Sequence, residues 1–218
     1  MKERETYLES LYGDYLKQGY EETFAQIERG PDQHAVINDY LDFAAYLSEN
    51  EYIDESITFL ENGLKYAEKM ENLPAQSVFL NNLATNLTSD PEESETAGLR
   101  KALEYARRAT KIRENLPDRT IYVKALGQEG YCNYLLEDFE EALSLFNKAE
   151  KIARENDAGN ELGWVLFHKV LCVIESGDDS IADEEVIAIL EEAKDIFKNT
   201  DDQDGIDEIN ALLSELQE

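Results

Sequence analysis

The chain has 218 residues, 42% of them hydrophobic, and sets 20 basic residues against 49 acidic ones for a formal charge of −29. That length holds one sizeable domain or a short repeat array, and that apolar content can bury a core, which excludes a compositionally disordered chain. The negative field repels phosphate backbones and anionic bilayers, so no nucleic acid and no membrane is expected as partner; it favours basic segments of other proteins.

The two cysteines, Cys132 and Cys172, lie in apolar helical runs and read as buried free thiols in a reducing compartment. The opening MKERETYLES has no apolar core of a secretory signal, and the longest apolar run, Val170 to Ile174, is far too short for a bilayer span. The expected location is cytoplasmic.

In chain order, residues 3–30 read as helical, with Leu8, Leu11, Tyr12, Tyr15 and Leu16 on one stripe. Gly19 either breaks this stretch into a cramped hairpin or lies within one long helix; Gly30 and Pro31 end it. A helix over 33–49 carries Tyr40, Phe43, Ala44 and Leu47, and another over 53–71 carries Ile53, Ile57, Leu60, Leu64 and Ala67, with Leu73 and Pro74 closing that pair. The next pair spans 75–88 and 97–115, separated by an acidic loop without apolar periodicity, and closes at Leu116 and Pro117. Its loop serines beside acids could be phosphorylated; a solvated insertion is the simpler reading. The clearest hairpin is 126–154, where Gly130, Ala142 and Ala149 suit a close helix crossing around the turn Glu137-Asp138. A last pair covers 160–176 and 183–198 around a turn at 177–179, and an amphipathic helix over 204–216 follows.

Spacing tests the repetition. The small or apolar crossing residues of the first helices are Ala44, Ala84, Gly130 and Val170; those of the second helices are Ser56, Ala102, Ala142 and Val186. From each second-helix residue to the next first-helix residue the distance is 28, while the intra-hairpin distances are 12, 18, 12 and 16. Constant junctions with variable turns are what stacked repeats require, because packing holds the junction and an outer turn tolerates insertion.

These hairpins resemble the tetratricopeptide repeat (TPR). Leu126, Gly130, Phe139, Ala142, Phe146 and Ala149 match its pattern best. Ser56, Leu60 and Gly63, then Ala102, Ala106 and Ala109, then Val186, Leu190 and Ala193 stand at the matching positions of the more divergent copies. The period of roughly 40 residues, longer than the usual 34, is similar to the extended repeats of kinesin light chains, LGN-type polarity adaptors and bacterial peptide-sensing regulators. The resemblance implies an all-α, right-handed superhelical solenoid of antiparallel helix hairpins. Residues 1–31 would be an N-terminal helical segment or degenerate repeat, 32–203 four hairpins, and 204–218 a C-terminal cap.

In that family the first helices line a concave wall. The resemblance puts Asn38 and Asp42 there in the first copy, Asn81, Asn82 and Thr85 in the second, Lys124, Gln128 and Tyr131 in the third, and Trp164, Phe167 and His168 in the fourth. Amides can bond a peptide main chain through both donor and acceptor, and Tyr and Trp are common interface anchors. The competing reading packs Trp164 and Phe167 under the terminal helix. A chaperone-tail carboxylate clamp is not matched: Asn82 and Lys124 fit, but Leu41, Ala45 and Gln128 stand where a Lys, an Asn and a cation belong.

No catalytic motif and no metal spacing is present, and no cofactor is expected. Cys132 and Cys172 stand 40 apart at equivalent repeat positions, a spacing that repeated small-residue packing explains better than a redox pair. Residues 178–218 hold fifteen acids against Lys194 and Lys198, enough to steer a basic partner, or simply a solubilising cap. The expected function is a non-catalytic scaffold that binds a peptide or helix of a protein partner. The alternatives are a self-associating structural module and the sensing region of a signalling system; the stretch before Asp32 is too short for a DNA-binding helix-turn-helix domain.

Overall fold

In the computed structural model the described residues are 2–89, 96–177 and 182–216. They form eleven α-helices and no strand: α1 (Lys2–Gln18), α2 (Tyr20–Ile27), α3 (Gln33–Glu49), α4 (Ile53–Lys69), α5 (Leu73–Leu87), α6 (Thr96–Glu114), α7 (Arg119–Leu135), α8 (Phe139–Asn156), α9 (Gly159–Ser176), α10 (Asp183–Asn199) and α11 (Gln203–Glu215). The fold class is all-α, a TPR-like array of helix hairpins. The chain divides into two units, 1–89 with α1–α5 and 90–218 with α6–α11. Most of the expected acidic loop, at 90–95, and most of the turn at 177–179 lie outside the described residues.

Polar caps start several of these helices. Asp32, Asn72, Asp118 and Asp202 each accept a hydrogen bond from the backbone N–H three residues on, which satisfies a donor left over at a helix N-terminus. Pro74 does not close the first hairpin, as the sequence suggested. It sits in the first turn of α5, where its missing N–H has no helical partner to lose. Gly19 has φ of 84°, so residues 2–27 are two helices and not one.

The tight turns use an unexpected residue type. Glu51, Glu71, Glu137, Asp157 and Asp201 all adopt positive φ between 53° and 67°. At Glu137 the chain closes a left-handed helix cap: Asp138 N–H reaches Asn133 C=O, and Glu137 N–H reaches Tyr134 C=O. A left-handed L-residue is strained by Cβ against the carbonyl, and glycine is not. Glu137→Gly is therefore expected to stabilise the chain by about 1 kcal/mol, read as a shift in the urea midpoint at unchanged slope.

In the first unit the core is aromatic. Phe59 of α4 is fully buried, with Phe43 at 4.7 Å edge-on, Phe24 at 5.0 Å, Tyr20 at 5.8 Å and Tyr15 at 5.9 Å. It thereby joins α1 and α2 to the α3–α4 hairpin. At the crossing that the sequence marked, Ser56 Oγ donates to Ala44 C=O at 2.7 Å.

In the second unit, glycines seat the large rings. A Cβ on Gly130 would lie 2.7 Å from the Phe146 ring, and one on Gly163 would lie 2.6 Å from Phe197. Gly205 of α11 approaches the other side of Phe197 just as closely, at 2.6 Å. The terminal helix is thus fastened to α9 and α10 through one ring that no larger residue at 163 or 205 would admit.

Candidate functional site

The first unit carries five of the residues expected to face a partner. Asn38 and Asp42 lie on α3 beneath α1, and Arg4 spans them: its guanidinium bonds Asp42 at 2.8 Å and Asp39 at 2.6 Å and reaches the Asn38 carbonyl at 3.4 Å. The chain's own N-terminal helix therefore occupies part of that surface. Asn81 is 7% exposed and belongs to the core, so it presents little to a partner. Asn82 and Thr85 line an open cleft of about 240 Å³ on α3–α5, together with Ser48, Ser56 and Asn86. Within it Asn86 Nδ2 donates to Ser56 Oγ at 2.7 Å. Ala44, Ala45 and Leu60 give the cleft an apolar floor beside these hydroxyls and amides, and Glu49 is the one acid among its lining residues.

The second unit carries the other six on α7 and α9, which pack together, and α11 packs against α9. Helical periodicity sets Lys124, Gln128 and Tyr131 on one stripe of α7 and Trp164 and His168 on one stripe of α9. Lys124 is exposed and Gln128 half-buried. The rings then meet. Tyr131 stacks on His168 at 4.5 Å and 28°, Trp164 also stacks on His168 at 5.7 Å and 30°, and Tyr131 stacks on Tyr134 at 5.9 Å. Tyr131, Trp164 and His168 each keep part of their surface open, whereas Phe167 is 5% exposed and fills the core between α9 and α10.

Trp164 has a second task. Its indole N–H donates to Asp202 at 3.0 Å, and its ring lies 5.0 Å from Phe197. It therefore both closes the joint with the terminal helix and contributes to the ring stack. Behind the stack, Lys169 bonds Glu150 at 2.8 Å and Arg154 bonds Glu192 at 2.6 Å, tying α8 to α9 and to α10.

Burial among rings drives the His168 imidazole pKa down from 6.5 to about 4. The unfolded chain takes up a proton that the folded chain refuses between those values, so stability is complete above pH 6.5 and falls as pH drops towards 4. His168→Phe, which keeps a ring in place, is expected to weaken this dependence. Thermal midpoints measured from pH 7 to pH 4 should fall less in the variant than in the native chain.

Two features escaped the sequence reading. Glu175 accepts a hydrogen bond from Tyr134 Oη, which places a carboxylate beside the ring stack. Helix α6 gathers Arg100, Lys101, Arg107, Arg108, Lys111 and Arg113 in a chain with only 20 cations, a local reversal hidden by the total. Among the described residues no cluster of three or more His, Cys, Asp or Glu side chains could hold a metal ion, and no helix is long and apolar enough to cross a membrane.

No family model matches the sequence, and no curated protein matches it. Solved structures do. BtubC (BKLC) from P. vanneervenii superposes with a TM-score of 0.64 at 17% identity, over 88% of this chain and 76% of that one. A Podosopora anserina protein described as a kinesin light chain, with nearly identical TPR-like repeats, gives a TM-score of 0.56 at 12% identity, over 91% and 97%. Ton1535 from Thermococcus onnurineus NA1 gives 0.51 at 16% identity, over 94% of this chain and 56% of that one. At such identities the likeness is one of fold: this chain has the TPR-like repeat architecture.

Proposed function

We propose that the chain is a non-catalytic interaction scaffold that binds a peptide or helix of another protein on the α7–α9–α11 face of its second unit. The observation that carries this reading is the half-open stack of Tyr131, His168 and Trp164. Flat rings, already immobilised by packing, offer contact area at little further entropic cost. Gln128 adds an amide, and Lys124, two turns from Tyr131, adds a cation at one end. In the first unit, the cleft with Asn82 and Thr85 offers donors and acceptors suited to main-chain amides, while Asn38 and Asp42 lie on α3 under Arg4 of α1. The free buried thiols of Cys132 and Cys172 support a reducing, cytoplasmic setting.

Panning a random peptide library against the chain tests the proposal. Tyr131 is the residue to change, because loss of Trp164 would also loosen its joint with Asp202. Tyr131→Ala combined with Lys124→Ala is expected to weaken the selected peptides by about tenfold or more, as removal of a central aromatic anchor does, with helical content and melting retained. Selected peptides that all bind the double variant undiminished would overturn the reading.

A further inference from the structure

The Tyr131–His168 stack is flanked by acid, and that combination selects a ligand. Glu175 lies seven residues beyond His168, two turns along the same side of α9. Its carboxylate is held by the Tyr134 hydroxyl, and the Tyr134 ring itself stacks on Tyr131 at 5.9 Å. A carboxylate accepts through both oxygens, so this bond uses only part of its capacity. The second acid, Glu208, is exposed on α11, the helix packed against α9. Burial raises the pKa of the Tyr131 phenol, and the charges of Cys132, Glu208 and Glu175 raise it further. His168 adjoins Tyr131 and Trp164 and is neutral above about pH 4, so it does not repel a cation.

From this geometry we infer that the α7–α9–α11 face contains a subsite for an arginine side chain. Its guanidinium plane lies against the Tyr131–His168 rings, and its N–H groups bond the carboxylates of Glu175 and Glu208. A guanidinium is the one common side-chain group that both stacks on aromatic faces and donates in a planar fork to carboxylates. An acidic side chain is repelled by the two glutamates, and an apolar one would leave them desolvated without a partner. The subsite rests on the interaction face proposed above and specifies what that face recognises.

The test uses the intact chain on an array of random octapeptides whose central residue is Arg, citrulline, Ala or Glu. Citrulline keeps the size and planar shape of arginine but is uncharged and has a carbonyl acceptor in place of one N–H2 donor. The best Arg peptides are then titrated in solution while following the fluorescence of Trp164, the chain's single tryptophan, which stacks on His168. The subsite predicts that citrulline weakens binding by about tenfold, and that Glu175→Gln with Glu208→Gln removes the Arg preference. A control with Glu184→Gln and Glu185→Gln, two exposed acids at the start of α10, should change affinity by less than about twofold. Should the paired variant melt early, Glu208→Lys alone, at an exposed position, should shift the preference from Arg towards Glu. Arg preference surviving in the paired variant, or lost equally in the control, would mean general attraction to an acidic protein and would overturn the subsite. Binding that depends on Tyr131 but ignores the exchange of Arg for citrulline overturns the subsite and leaves the interaction face standing. Binding indifferent to Tyr131 overturns both.

Discussion

Phe197→Ala is expected to cost about 3–5 kcal/mol and to release the terminal helix. The ring is fully buried, lies 5.0 Å from Trp164, and is gripped between Gly163 and Gly205. Removing it takes away one ring's worth of buried area and also leaves a cavity that two glycines cannot fill, since neither carries a side chain to move inwards. The bond from Trp164 to Asp202 then spans a joint without a core. In a repeat array such a loss is local at first, because each repeat is stabilised chiefly by its neighbours. Hydrogen exchange should therefore show α11 losing protection well before α7 and α8. Uniform loss across α6–α11 would contradict this account. The converse change, Gly205→Ala, pushes a methyl to 2.6 Å from the same ring and is expected to cost about 1–3 kcal/mol.

The second large effect is expected at Phe59→Ala, again about 3–5 kcal/mol. Phe59 contacts rings from three other helices: Tyr15 on α1, Tyr20 and Phe24 on α2, and Phe43 on α3. Edge-on and tilted pairs add to the area term, and all four are lost together. The short α2 has eight residues, too few to persist as an isolated helix, so it depends on this contact. Urea unfolding should show a lowered midpoint, and amides of α1 and α2 should exchange before those of α4 and α5. Protection in α1 and α2 equal to that of the native chain would contradict the role assigned to Phe59. The surface bridge from Arg4 to Asp39 and Asp42 also joins α1 to α3, but exposed ion pairs contribute little, and it should not rescue the variant.

Helix positions were legible because each helix announces itself locally. The stripe Ile53, Ile57, Leu60, Leu64 and Ala67 has the 3.6-residue period of one buried face, and α4 runs from Ile53 to Lys69 against an expected 53–71. The 28-residue junctions identified the repetition for the same reason, since stacked hairpins impose a constant spacing on whatever residues they use. The turn at Glu137-Asp138 was located, but the backbone conformation of the turns was less legible. Five acids take left-handed backbone where glycine or asparagine would be the readable signal, so nothing in the residue type marks them. The role of Pro74 was misread because a proline after one helix and a proline inside the next turn look alike in a string.

The candidate site shows the division most clearly. The sequence by itself determined the helices, their repetition and the stripes that bear Lys124, Gln128, Tyr131, Trp164 and His168, because periodicity is a property of neighbouring residues along one helix. Only the tertiary structure decided which of these side chains meet. Tyr131 and His168 are 37 positions apart and stack at 4.5 Å, Trp164 is divided between that stack and Asp202, and Phe167, one residue from His168, is turned into the core. Glu175 joins the site through a hydroxyl on another helix. Contacts of this kind depend on the rotation and offset of one helix against the next. Those are set by the sum of many packed side chains, above all the glycine seats under Phe146 and Phe197, and no short stretch of sequence carries them.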